Sequence, residues 1–199
     1  MISEIFGVCA GVTAIFVYVV YIRQTVNGSS VPNPATISIW FGVSILNAIT
    51  YFHVVSENAW QALISITFAA SAGILLGYAL YAGKFAKFGK VEAVALTLAI
   101  TSCVLWKTSG NADIANLLLQ VTLLISFVPV IVGLLRNELR ENPTAWTIAV
   151  IAYVFATTAV LTDYNGNWVS LAYPIGNGII GNGSVALLAF ILNRKPSRG

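Results

Sequence analysis

The chain has 199 residues and a formal net charge of +3, with 58% hydrophobic residues, 9% charged residues and a mean hydropathy of +0.85. Soluble domains carry roughly 25% charged residues, so a water-soluble globular fold is excluded and lipid is the solvent for most of this sequence. The basic residues flank apolar runs instead of forming a patch, which argues against a nucleic-acid partner.

Seven apolar runs follow one another: Ile5 to Ile22, Ala35 to Val54, Ala59 to Tyr81, Val91 to Trp106, Ala112 to Leu135, Ala145 to Thr162 and Trp168 to Leu192. A helix rising about 1.5 Å per residue needs about 20 apolar residues to cross the hydrocarbon core. Continuous runs predict helices, because lipid offers no partner to an unpaired backbone. The expected fold is therefore an all-α membrane protein with seven transmembrane helices. The first run opens on Met1-Ile2-Ser3-Glu4, without the positive start of a signal peptide, and is expected to stay as a helix.

Polar residues inside the runs mark candidate solute contacts. In the second helix Trp40, Ser44, Asn47 and Tyr51 share one face, which either lines a path or bonds to a neighbouring helix. Gln61 and Ser65 share a face of the third helix, and Asn116 and Gln120 one of the fifth. Pro129 lies well inside the fifth run, where a missing backbone donor makes it the candidate hinge; Pro34 and Pro143 suit helix starts. The sixth helix aligns Trp146, Tyr153 and Thr157.

The seventh helix packs a Pro, four Gly and two Asn into the eleven residues from Tyr173 to Gly183. Such a stretch allows either close helix packing or an interrupted helix at a solute site. Tyr173 and Asn177, four apart, are the leading pair for a polar solute, whereas the α-helical period turns Asn182 about 140° away from Asn177. His53 and Asp163 stand at equivalent helix ends, as an outer gate or as wetted boundary residues. Trp60 and Trp168 suit interfacial anchoring. Cys9 and Cys103 lie on separate helices without metal-ligand spacing, so neither a metal nor another cofactor is expected, and no nucleophile and base come together for an enzyme.

The chain also repeats itself. Asn33-Pro34-Ala35-Thr36 returns as Asn142-Pro143-Thr144-Ala145 at an offset of 109, Trp60 returns as Trp168 at 108, and Thr13 matches Thr122 at 109. The expected organisation is two parallel three-helix repeats, 1–82 and 112–193, a linker helix within 83–111, and a cytoplasmic tail 194–199. With seven crossings, Arg23, Lys84, Lys87, Lys90, Arg136, Arg140, Arg194, Lys195 and Arg198 fall on one side and only Lys107 on the other. The positive-inside rule then puts the C-terminus in the cytoplasm and the N-terminus outside a plasma membrane.

The segment Pro129-Val130-Ile131-Val132-Gly133-Leu134-Leu135-Arg136-Asn137, followed by a new helix at Pro143, resembles the PQ-loop pattern. Tyr21-Ile22-Arg23-Gln24 to Pro34 occupies the same place in the first repeat, with Val20 where Pro129 falls in the second. The likeness is to the PQ-loop, SWEET and Pnu group of 3+1+3 carriers, and it implies alternating access. Asn177 is similar to the seventh-helix asparagine at the SWEET sugar site, while Ala69 stands where a second asparagine is found. The expected function is facilitation of a small polar solute, such as a sugar, an amino acid or a vitamin. The alternatives are a non-transporting receptor, or an accessory subunit of a larger membrane complex; a homo-oligomer or a larger membrane complex is open to the chain as its assembly. Retinal binding is argued against by the lack of a Lys in the last run. A hydrated cavity between the two units would favour a carrier, and a dry centre an accessory subunit.

Overall fold

A computed structural model describes residues 1–30, 34–81 and 90–193. Asn33, the 194–199 tail and the basic residues Lys84, Lys87, Arg194, Lys195 and Arg198 lie outside the described residues. Within them the chain is helical, without a strand: α1 Ile2–Val26, α2 Pro34–Val54, α3 Ala59–Tyr81, α4 Lys90–Ser109, α5 Ala112–Leu135, α6 Pro143–Thr162 and α7 Val169–Asn193. Six of these, all but α4, are long and apolar enough to cross a membrane, which marks the chain as an integral membrane protein.

Asparagines start several helices. Asn58 Oδ1 accepts from the amides of Trp60 and Gln61, Asn111 Oδ1 from those of Asp113 and Ile114, Asn142 Oδ1 from that of Thr144, and Asn167 Oδ1 from that of Val169. Each supplies an acceptor to backbone donors that a helix N-terminus leaves unpaired. Pro143 directly follows its cap and occupies the first turn of α6, where no donor is missed.

The helices pack in the cyclic order α1, α3, α2, α5, α7, α6 and back to α1, with α4 against α5 and α2 on the outside. Small residues line the buried faces of α1 and α6: Gly7, Ala10, Gly11 and Ala14 on α1, where Gly7 and Gly11 face α3, and Ala149, Ala152, Ala156 and Ala159 on α6. Removing side-chain bulk lets two backbones approach closely in the absence of a hydrophobic drive between helices. A Cβ at Gly7 would overlap the carbonyl oxygen of Trp60 at the start of α3.

The bundle has an acidic end, with Asp113 and Asp163, and a basic end, with Arg23, Arg136 and Arg140. Hydrogen bonds fasten connections together at both. At the acidic end Asn58 Nδ2 donates to Asp163 Oδ2 (3.1 Å), Asn165 Nδ2 to Ser56 Oγ (2.9 Å) and Asn167 Nδ2 to Asp113 Oδ1 (2.9 Å). At the basic end the Asn142 amide donates to Ser30 Oγ (3.0 Å).

The middle of α7, Ala172–Asn182, is a π-helix, flanked by α-helical Val169–Leu171 and Gly183–Asn193. Pro174 has no backbone donor for the carbonyl of Ser170, and that carbonyl instead accepts the Tyr51 hydroxyl of α2 (2.8 Å). The bonding pattern then widens to i→i+5. This changes the faces of α7. The wider turn brings residues five apart closer in angle than the about 140° of an α-helix: Asn182 Nδ2 donates to the Asn177 carbonyl (2.8 Å), and both residues line the same space.

Candidate functional site

That space is a cavity of about 70 Å³ at the centre of the ring, with walls from α1, α2, α3, α5, α6 and α7. At roughly 15 Å³ of such volume per water molecule, it holds about five waters or a small solute. Its lining is mainly aromatic and aliphatic, with Ser44, Asn177, Asn182 and the tyrosines Tyr18, Tyr21, Tyr153 and Tyr173 among it.

Toward the acidic end the walls close on a tyrosine layer. Tyr153 donates its hydroxyl to that of Tyr173 (2.8 Å), stacks on Phe68 (5.0 Å between centroids) and meets the Tyr173 ring edge-on (5.4 Å). Tyr51 backs this layer, its ring 5.1 Å from that of Tyr173. Toward the basic end Trp40 packs against Trp146 (5.7 Å) and Phe127 (5.9 Å), and its indole donates to Ser126 Oγ (2.7 Å). The solute space thus lies between two aromatic layers, a usual construction for pockets that recognise small molecules with few polar contacts.

Asn177 is the distinctive polar group. It is 3% exposed, its Nδ2 donates to Gln120 Oε1, and its Oδ1 is buried without a hydrogen-bond partner among the described residues. A network behind it fixes which amide atom is left over. Thr50 gives its hydroxyl proton to the Leu46 carbonyl (3.0 Å) and therefore accepts from Asn116 Nδ2 (2.9 Å). Asn116 Oδ1 must then face Gln120, which donates Nε2 to it (2.8 Å) and to Asn47 Oδ1 (2.7 Å). Gln120 Oε1 is left for Asn177, so Asn177 must offer its NH₂ there and keep its oxygen free. The amide orientation follows from this chain of donors.

Of the residues singled out from sequence, Trp40, Ser44, Tyr153, Tyr173 and Asn177 line one cavity. Asn47 does not; it is buried in the α2–α5 seam, where its Oδ1 also accepts from Asn116 Nδ2 (3.0 Å). Thr157 returns its hydroxyl to the Tyr153 carbonyl of its own helix (2.8 Å). His53 and Asp163 have separate partners: His53 lies 3.6 Å from Glu57 and packs on Trp106, whereas Asp163 accepts from Asn58 and, through its carbonyl, from Gln61. Pro129 sits inside α5, two residues beyond the cavity residue Phe127, and α5 runs on to Leu135.

Sequence reasoning missed Glu141. It sits beside the Asn142 cap like a wetted boundary carboxylate, yet it is 1% exposed because the end of α1 folds over it. Tyr18 and Tyr21 were also unmarked, although their spacing of three puts them on one helical face. In comparisons with known families, characterised proteins and solved structures, the chain matches none.

Proposed function

We propose that the chain is a carrier for a small polar solute, built as two parallel three-helix units joined by α4 and working by alternating access. The observation that carries this reading is the central cavity. It sits between α1–α3 and α5–α7, and one of its lining residues is Asn177, whose buried Oδ1 has no hydrogen-bond partner among the described residues. Leaving such an acceptor unpaired costs free energy, and a solute donor would recover it.

The packing order supports the two-unit reading. If α1, α2 and α3 correspond to α5, α6 and α7, then the α2–α5 seam maps onto the α6–α1 seam, and both are present. Asn58 and Asn167, 109 positions apart, both cap helices at the acidic end. The solute that suits the walls offers a hydrogen-bond donor to Asn177 Oδ1 and a flat or apolar face to the aromatic layers.

A thermal-shift screen of the purified protein with sugars, amino acids and vitamins tests this. A ligand that binds only the folded state at a hundred times its Kd adds about 2.7 kcal/mol to apparent stability, and one solute class should raise the melting temperature while the others do not. A flat response across all classes would favour an accessory subunit of a larger membrane complex.

The same reading orients the chain with its basic end in the cytoplasm. In intact cells, and in a background lacking Cys9 and Cys103, a cysteine at exposed Tyr164 should react with an impermeant thiol reagent, and one at exposed Asn27 should stay protected. The reverse pattern would invert the topology.

A further inference from the structure

Among the described residues, Glu141 is the one buried carboxyl, and the solute site does not use it. It lies in the connection between α5 and α6. Its Oε1 accepts the Tyr21 hydroxyl of α1 (2.9 Å), and its Oε2 accepts the Trp146 indole of α6 (3.1 Å). Its backbone carbonyl accepts Asn193 Nδ2 from the end of α7 (3.0 Å). One loop residue therefore ties together α1, α6 and α7 at the basic end, and two of its partners, Tyr21 and Trp146, line the cavity.

Nothing among the described residues neutralises its charge. Arg23 on α1, and Arg136, Glu138 and Arg140 in the same connection, are exposed and form no ion pair with Glu141. Tyr21 is the titratable side chain bonded to it; Trp146 and Asn193 carry no charge.

We propose that Glu141 is a proton-binding site linked to opening of the cavity at its basic end, holding a proton while that end is closed and releasing it to water when the end opens. The proposal rests on the carrier reading for the meaning of opening. Its physical basis is that a carboxylate removed from water without a cation is disfavoured, whereas the neutral acid is not. Burial accordingly pushes the Glu141 pKa up, and the hydrogen bonds from Trp146 and Tyr21 pull it only part of the way back. Parting α1 from α6 breaks the Tyr21 bond, admits water and returns the group toward an ordinary carboxyl pKa of about 4.3.

The sign follows from the higher proton affinity of the closed state. Acid favours the closed end, and the open end gains as pH rises through the closed-state pKa. Between the two pKa values the open-to-closed ratio grows by up to about tenfold per pH unit, and it is flat outside that window.

Spin labels at exposed Asn27 and Glu138, on the two connections that must separate, read this directly in the full chain in lipid nanodiscs. From about pH 4 to about pH 8, the longer-distance population should grow. Glu141→Gln should hold the short distance at every pH. Tyr21→Phe, which removes a bond that favours the carboxylate of the closed end, should enlarge the longer-distance population at the alkaline end of this range. A pH-independent distance in the unsubstituted protein, a pH response that survives Glu141→Gln, or a longer-distance population in Tyr21→Phe that is smaller at alkaline pH than in the unsubstituted protein would each overturn the proposal. A pH-dependent distance in a protein that binds no solute in the thermal screen would keep the proton linkage and remove the carrier reading; a bound solute with a flat distance would do the reverse.

Discussion

Gly178→Ala should destabilise the protein by about 1–3 kcal/mol, the usual range for overpacking a filled core, and should disrupt the tyrosine layer of the cavity. A Cβ at Gly178 would overlap Cγ, Cδ1 and Cβ of Tyr153. These atoms lie at the root of the side chain, so a change of rotamer at its tip cannot relieve the clash. Either α7 backs away from α6, or Tyr153 leaves its place, losing its bond to Tyr173 and its stack on Phe68. Gly176→Ala is the matched control, because nothing lies within 4 Å of the position a Cβ would take there, in the same π-helical stretch. Thermal unfolding in detergent should separate the two variants clearly. Equal melting temperatures would mean that Gly178 does not face Tyr153 in the membrane.

Much of the fold is legible in the sequence for a single reason: lipid demands long apolar runs. Ala59–Tyr81 and Ala112–Leu135 begin and end at the same residues in the structure as in the runs. The first run is extended to Ile2–Val26 because its polar ends find partners. Ser3 Oγ donates to the Ala159 carbonyl (2.8 Å), and Thr25 Oγ1 donates to that of Tyr21 (2.9 Å). A polar residue at a run's edge does not announce whether water or protein will satisfy it.

The site is legible in part. Spacing within a helix identifies a face that avoids lipid, but it does not say what meets that face. Ser44 and Asn47 share a face of α2, yet Ser44 lines the cavity and Asn47 is enclosed by Asn116 and Gln120. That outcome depends on the neighbour opposite. The position of Asn182 was hidden by a change of period, which Pro174 and the glycines make possible but which also needs Tyr51 to take the Ser170 carbonyl. Glu141 was hidden because its burial is created by residues 120 positions away, at Tyr21.

Asn177→Leu should abolish solute binding while leaving a folded protein. The substitution removes the one buried side-chain acceptor left without a partner among the described residues, so a solute donor would enter the cavity unpaired. A lost hydrogen bond that strands a buried polar group costs about 1–3 kcal/mol, or roughly 5- to 150-fold in affinity at about 1.4 kcal/mol per factor of ten. The leucine also fills space that the solute needs. Stability should fall modestly, because Gln120 Oε1 loses its donor while an apolar side chain gains burial. Asn182→Leu discriminates between the two helix geometries. On an α-helix it would lie on another face and leave binding alone, but on the π-helix it lines the same cavity and holds the Asn177 carbonyl, so binding should weaken, though less than in Asn177→Leu. Binding by Asn182→Leu at full affinity would show that the π-turn is not part of the solute site. Full affinity in Asn177→Leu would remove the amide chain from recognition and move the site to the Trp40 and Trp146 layer.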